Sequence, residues 1–257
     1  MKLMQNTLTM RIEPAQGKVY SIDVDVEQIG LSRHAGRDIA RTRADLETVR
    51  HGGCAIHDAA GVCLKSRCLL TNERAIEVQG PQTSGEVEFV AIRHAGELFI
   101  SVGSDHNDRS IDQMWTEMLG KVSDTAKSKQ MAPAVVATTA WRYEDIKAHW
   151  DGIALNSYVT IDDRRVAYQA FTLGDLLDLE YYLALGDWLS ADGSVLFGGS
   201  NHLLPTIPSH VFQMQRSAEG VVFPDDFQFE MIDSILSRRI EHAYTIHALE
   251  PPGSLSL

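Results

Sequence analysis

Apolar residues fall at every second position in "NTLTMRIEP" and "KVYSIDVDV", and "AQG" lies between them, so the chain opens on a predicted β-hairpin. "GRDIARTRADLETVRHGG" changes the period: Ile39, Leu46 and Val49 share a helical face, and Gly52-Gly53 ends it. From Cys68 the pattern returns to strands, in "CLLTN", "AIEVQG", "GEVEFVAIR" and "ELFISVG". A segment with helical spacing, "RSIDQMWTEMLGKVSDTAKS", interrupts them, with Ile111, Met114, Trp115 and Met118 on one face. "PAVVATTAW" follows, then a short helix around "YEDIKAHW". "LNSYVTID" and "RRVAYQAFT" form a second hairpin across Asp163. "LGDLLDLEYYLAL" reads as an amphipathic helix, and "GSVLFGGS" and "DDFQFEMIDSILSRRIEHAYTIHAL" as terminal strands. Many strands with isolated helices predict an α+β fold around a strongly curved sheet or roll. A small N-terminal α/β subdomain is expected over residues 1–68 and the main domain over 69–257.

Composition narrows the partners. The 257 residues are 44% hydrophobic, enough for a real core. A formal net charge of −12 opposes binding to a phosphate backbone, so nucleic acid is not an expected partner. Cys54, Cys63 and Cys68 match no metal-ligand spacing and point to a reducing cytoplasm. The first residues lack the apolar core of a signal peptide, and no apolar run approaches the roughly 20 residues that cross a bilayer. A soluble cytoplasmic protein without a membrane partner is expected.

The chemistry concentrates in residues 83–110. In "GEVEF", Glu86 and Glu88 are two apart and share one face of a strand, while Val87 and Phe89 take the other. Asp105 follows the next strand at a glycine-marked turn. Crowded carboxylates repel and raise each other's pKa unless solvent or a cation neutralises them. A hard cation such as Mg²⁺ suits two or three carboxylates with open positions; on spacing alone a solvated strand face, where Glu-x-Glu is ordinary, is the commoner arrangement. "DHNDRSID" lacks the glycine and closing glutamate of a calcium loop.

The succession "GEVEFVAI", "SDHNDRSID", "AKSKQMAPAVVA", "YVTIDDRRVAYQAF", "GSVLFGGS" and "FPDDFQFEMIDSILSRRI" resembles the fumarylacetoacetate hydrolase (FAH) superfamily over roughly residues 70–249. "GRD", "SGEVEF", "GSDHNDR", "SKQMAP", "HWD" and "YQ" are most similar to a bacterial branch of unassigned function. The resemblance implies an FAH-like mixed β-roll, and Mg²⁺ (or Mn²⁺ or Ca²⁺) on Glu86, Glu88 and Asp105. It implies that Arg109 supports the Asp105 turn; read from the residues alone, Arg109 is equally a charge partner for Asp108 or Asp105. Lys129 is the favoured site lysine, with Lys127 the competitor. Gly199 and Ser200 stand where the superfamily holds a substrate carboxylate.

The departures also bear on function. Glu88 and Asp105 are only 17 positions apart, shorter than is usual in the superfamily. No lid motif carrying a water-activating histidine is visible; His34 is the nearest stand-in, and His106 is a better-placed acid or base. "HWD" reads as structural, with Trp150 packed and Asp151 capping. The implied enzyme is a metal-dependent homodimer acting on a small 2-oxo carboxylic acid through an enolate. Acylpyruvate-type hydrolysis comes first, with 2-oxo acid decarboxylation or sugar-acid hydration or dehydration behind it. The competing reading is a non-catalytic binding protein that retains the fold.

Overall fold

A computed structural model describes residues 6–42, 44, 61–111, 125–207 and 222–249. The opening hairpin forms as expected from β1 (Asn6–Ile12) and β2 (Tyr20–Val26), in the register Leu8↔Val24 and Met10↔Ile22. Two strands that alternation did not reveal follow, β3 (Gln28–Arg33) and β4 (Gly61–Lys65). β3 is buried on both faces between its neighbours, so its sequence shows no polar stripe to betray a strand. Next come β5 (Leu70–Thr71), β6 (Ala75–Val78), β7 (Thr83–Ser84), β8 (Val87–His94), β9 (Glu97–Asp105) and β10 (Asn107–Asp108). After them run β11 (Ala134–Val136), β12 (Thr139–Arg142), β13 (Ala154–Ile161), β14 (Arg164–Thr172), β15 (Ser194–Phe197), β16 (Asp226–Asp233) and β17 (Arg238–Ala248).

Among the described residues these strands make a ten-stranded mixed sheet, a five-stranded sheet ordered β14-β13-β16-β17-β6, and the small pair β10-β7. The N-terminal strands belong to the large sheet: β1 pairs with β12, and β3 with β15. Successive β8 residues serve two apolar clusters. Val87, Phe89 and Ala91 join the cluster shared with the five-stranded sheet, while Val90 and Ile92 join a second one with Leu8, Met10, Ile29 and Leu31. A sheet covered on both faces by apolar side chains fits the predicted α+β roll.

Several helices differ from their expected form. Residues 39–42 and 44 are helical, but Ile39 is exposed, and Leu46, Val49, Gly52 and Gly53 lie outside the described residues. Met114, Trp115 and Met118 lie outside them as well. The segment read as one helix over residues 173–185 is two pieces, a 3₁₀ turn Leu173–Asp175 and a helix Leu179–Ala184. The polar residues explain the break: Asp175 closes a capping box on Thr172, and Asp178 accepts the Tyr181 N–H and starts a new helix. In "HWD", Trp150 is buried as expected, but Asp151 pairs with Arg37 (2.8 Å), holding the "GRD" segment in place of the expected cap. Cys63 and Cys68 are free thiols, and Cys54 is outside the described residues. No helix of the described residues is long and apolar enough to cross a membrane.

Candidate active site

The β8–β9 hairpin places the carboxylates. Ala95 (φ 49°) and Gly96 (φ 77°) form its two-residue turn, both in the left-handed region that a type I′ turn requires. The register fixed by that turn pairs Val87 with Ser104 and Glu88 with Gly103, and the Asp105 N–H bonds to the Glu86 carbonyl (3.1 Å). Glu86, Glu88 and Asp105 therefore share one face as cross-strand neighbours. A tight hairpin with no helix in it spans the short interval between Glu88 and Asp105. On the opposite face Phe89 packs edge-on against Trp150 and Tyr182, which anchors the strand carrying Glu88.

Basic groups meet each end of this row. Lys129 points from the helix Thr125–Gln130 to Asp105 Oδ2, whereas Lys127 lies on that helix's exposed side. Lys65 of β4 reaches Asp105 Oδ1 at 3.3 Å, with both side chains inaccessible to solvent. Arg109 contacts Glu86 Oε1 (2.5 Å) and donates to Ser84 Oγ (2.7 Å), so its partner here is Glu86, where Asp108 or Asp105 was expected. Asp108 instead caps the turn that follows, accepting from Ser110 and Ile111 N–H groups. Glu88 accepts the Gly199 N–H at 2.7 Å. Three acids thus face three bases in a region reached by solvent chiefly at Glu86, whose side chain is 16% exposed.

Burial and charge divide the roles. Burial would push Asp105 up, but Lys129 and Lys65 together hold it below the usual carboxylate range. Glu88 goes the other way, raised well above that range by burial and then by Asp105. Burial also depresses both ammonium groups. For Lys65 it prevails over Asp105; for Lys129 the combined charge of Asp105, Glu86 and Glu88 overcomes it and raises the group. His106 Nδ1 lies 2.9 Å from the Tyr244 hydroxyl, and its Nε2 is buried with no hydrogen-bond partner. Burial first, then Arg109 and Lys65, drive His106 down to about 3, so the ring is neutral at physiological pH.

The turn after β15 completes the site. Gly199 has φ 92°, and a Cβ there would lie 2.1 Å from that of Ala35, the residue after His34. Only glycine fits such an approach. Ser200 Oγ accepts from Gln169 Nε2 (2.7 Å), and Gln169 Oε1 accepts the Val87 N–H (3.0 Å). Gln169 therefore ties the strand of glutamates to the Gly199–Ser200 turn. Tyr182 donates to the Gly198 carbonyl from below and lies 2.6 Å from Ser32 Oγ. Gln169 was visible only as half of a "YQ" motif, and Lys65 gave no signal.

The donor set is chemically suited to Mg²⁺, but its arrangement is not. Both Asp105 oxygens accept from lysines and Glu86 is engaged by Arg109. Among the described residues, no three acids, histidines or cysteines converge as a metal site.

Solved structures share this architecture. Yeast ynq8, a fumarylacetoacetate hydrolase family protein, superposes with a TM-score of 0.57 at 11% identity, over 88% of this chain and 95% of that chain. Cg1458 with an inhibitor gives 0.58 at 11% identity, over 91% and 84%. A 2-keto-3-deoxy-D-arabinonate dehydratase complexed with magnesium and 2,5-dioxopentanoate gives 0.52 at 8% identity, over 90% and 77%. At these identities the likeness establishes the fold, which is that of the fumarylacetoacetate hydrolase superfamily. No curated protein sequence matches the chain. A family model matches residues 34–244, nearly all of the site included, and the chain belongs to that family, the proteins of unknown function DUF2848.

Proposed function

We propose that this protein is an enzyme that binds a small 2-oxo carboxylic acid and stabilises its enolate, with hydrolysis of an acylpyruvate as the first assignment. One observation carries the reading: two buried lysines converge on the central carboxylate of a glutamate-lined strand pair. The fold adds support, since one structural neighbour is a dehydratase complexed with 2,5-dioxopentanoate, a 2-oxo acid.

In this assignment water adds to the acyl carbonyl and the carbon–carbon bond breaks. The electron pair passes into the enolate of pyruvate, and a proton then restores the keto form. The Lys129 ammonium offsets charge on the enolate oxygen, a preorganised interaction that strengthens as charge develops. Glu88 carries the proton, because its raised pKa places it nearer to neutrality than an ordinary carboxylate. Arg109 positions Glu86 through their ion pair. The Ser200 hydroxyl receives the substrate's far carboxylate, in a turn whose Gly199 N–H holds Glu88. Ser200 accepts from Gln169, which leaves its own proton to donate. His106 enters only as a neutral hydrogen-bonding ring. Decarboxylation, hydration and dehydration proceed through the same enolate and are the alternative assignments.

The test is a panel of acylpyruvates followed by ultraviolet absorbance, with oxalate, a mimic of the pyruvate enolate, as competitor. Absorbance loss that oxalate inhibits supports hydrolysis. Oxalate binding without turnover of the panel, of 2-oxo acids or of sugar acids favours the non-catalytic binding protein.

A further inference from the structure

Lys65 stands on β4, at an edge of the large sheet among the described residues, where a lysine ordinarily reaches water. Here its side chain is wholly buried. Strand alternation is the cause: β4 pairs with β3 in the register Ile29↔Lys65 and Leu31↔Cys63, which turns Lys65 and Cys63 inward and leaves Leu64 exposed. That face is the one carrying Glu88 and Asp105. Burying an ammonium is costly unless a partner compensates, and the partner is Asp105 Oδ1 at 3.3 Å.

The balance of the cluster depends on this residue. With all six groups ionised, Glu86, Glu88 and Asp105 are neutralised by Lys65, Lys129 and Arg109. A divalent ion would need the Asp105 oxygens that now accept from Lys65 and Lys129, because Mg²⁺ demands oxygen ligands turned toward it.

We propose that Lys65 takes the place of a divalent ion in this fold: its ammonium neutralises the Asp105 carboxylate and presents its remaining N–H donors to a 2-oxo acid. The second half of this assignment rests on the 2-oxo acid reading; the first half does not. An ammonium is a compact point charge with rotatable donors. It can therefore bind a carboxylate and a neighbouring carbonyl oxygen together.

The test has two arms on the full-length protein. In the first, calorimetry and electron paramagnetic resonance follow Mn²⁺ binding to the wild type and to Lys65→Met, which keeps the side-chain length and removes the charge. The wild type should take up no Mn²⁺ at millimolar concentration, and Lys65→Met should gain one ion per chain. Uptake by the wild type, or none by a folded Lys65→Met, overturns the proposal. If Lys65→Met does not fold, Lys65→Gln replaces it, and the wild-type titration remains decisive by itself.

The second arm measures oxalate binding in chelator. The wild type should bind, and Lys65→Met should bind roughly 10- to 100-fold more weakly, the effect of losing one charge-assisted hydrogen bond. Binding that requires Mg²⁺ overturns the proposal. Absence of oxalate binding under every condition defeats the 2-oxo acid reading alone, while the Mn²⁺ arm still decides what Lys65 replaces.

Discussion

Glu88 and His106 are neighbours of the same charge cluster, yet their burial has opposite consequences for acid stability. The pKa of Glu88 is raised in the folded chain, so the native state holds its proton more tightly than the unfolded state, with an ordinary value near 4.5. Stability from this group is complete below that value and is lost as pH rises through the folded pKa. Glu88→Gln keeps an acceptor for the Gly199 N–H and removes the buried charge. Thermal melts should show the variant more stable than wild type at pH 8 and equal to it near pH 4. The pKa of His106 is lowered to about 3 from 6.5, so its contribution is complete above pH 6.5 and is lost as pH falls toward 3. His106→Asn should flatten the acid limb of a denaturant-monitored stability curve in that window by up to several kcal/mol. An acid limb as steep as wild type would show that His106 does not titrate there. The residues of these effects were unequally legible. Glu86, Glu88, Asp105 and Lys129 stand in recognisable motifs. Lys65 does not, because in "GVCLK" alternation alone assigns the apolar Val62 and Leu64 to the inside and the lysine to water.

At the level of elements, the hairpins β1–β2 and β13–β14 were readable because each carries its own periodicity and turn, and β8, β9, β16 and β17 were readable as strands whose pairing the structure supplies. Elements whose form depends on distant partners were not. β3 is a strand because β15 and β4 flank it, and the segment 173–185 breaks because its aspartates cap better than they continue a helix. The turn after β15 joins both cases, a sequence-visible glycine pair whose exact shape is set by Ala35 and Phe89. Gly199→Ala combines a left-handed backbone with a Cβ 2.1 Å from Ala35. It should cost about 1–3 kcal/mol in chemical denaturation, with oxalate binding weakened further because the N–H that meets Glu88 is displaced. An unchanged denaturation midpoint would show that the turn relaxes freely.

At the scale of the molecule, the order of weak motifs identified the superfamily's fold from sequence, which no single element could have done. Long-range order survives where identity has fallen to 11% or less, because a fold constrains the succession and pairing of its elements more than the residues within them. Exposed apolar side chains include Val19 and Tyr20 at the start of β2 and Ile235 and Leu236 in the β16–β17 turn. We expect these surfaces to be covered in a homodimer. Sedimentation at micromolar concentration should give twice the chain mass of 28.5 kDa; a clean monomer would contradict the expectation.

A lysine-rich, metal-independent cluster that holds a 2-oxo acid should be visible in a crystal structure grown with oxalate in chelator. Oxalate should lie within hydrogen-bonding distance of both the Lys65 and Lys129 ammonium groups, with Glu88 beside it and no ion between. Oxalate seated elsewhere, or bound to these carboxylates only through a metal ion when one is supplied, would contradict it.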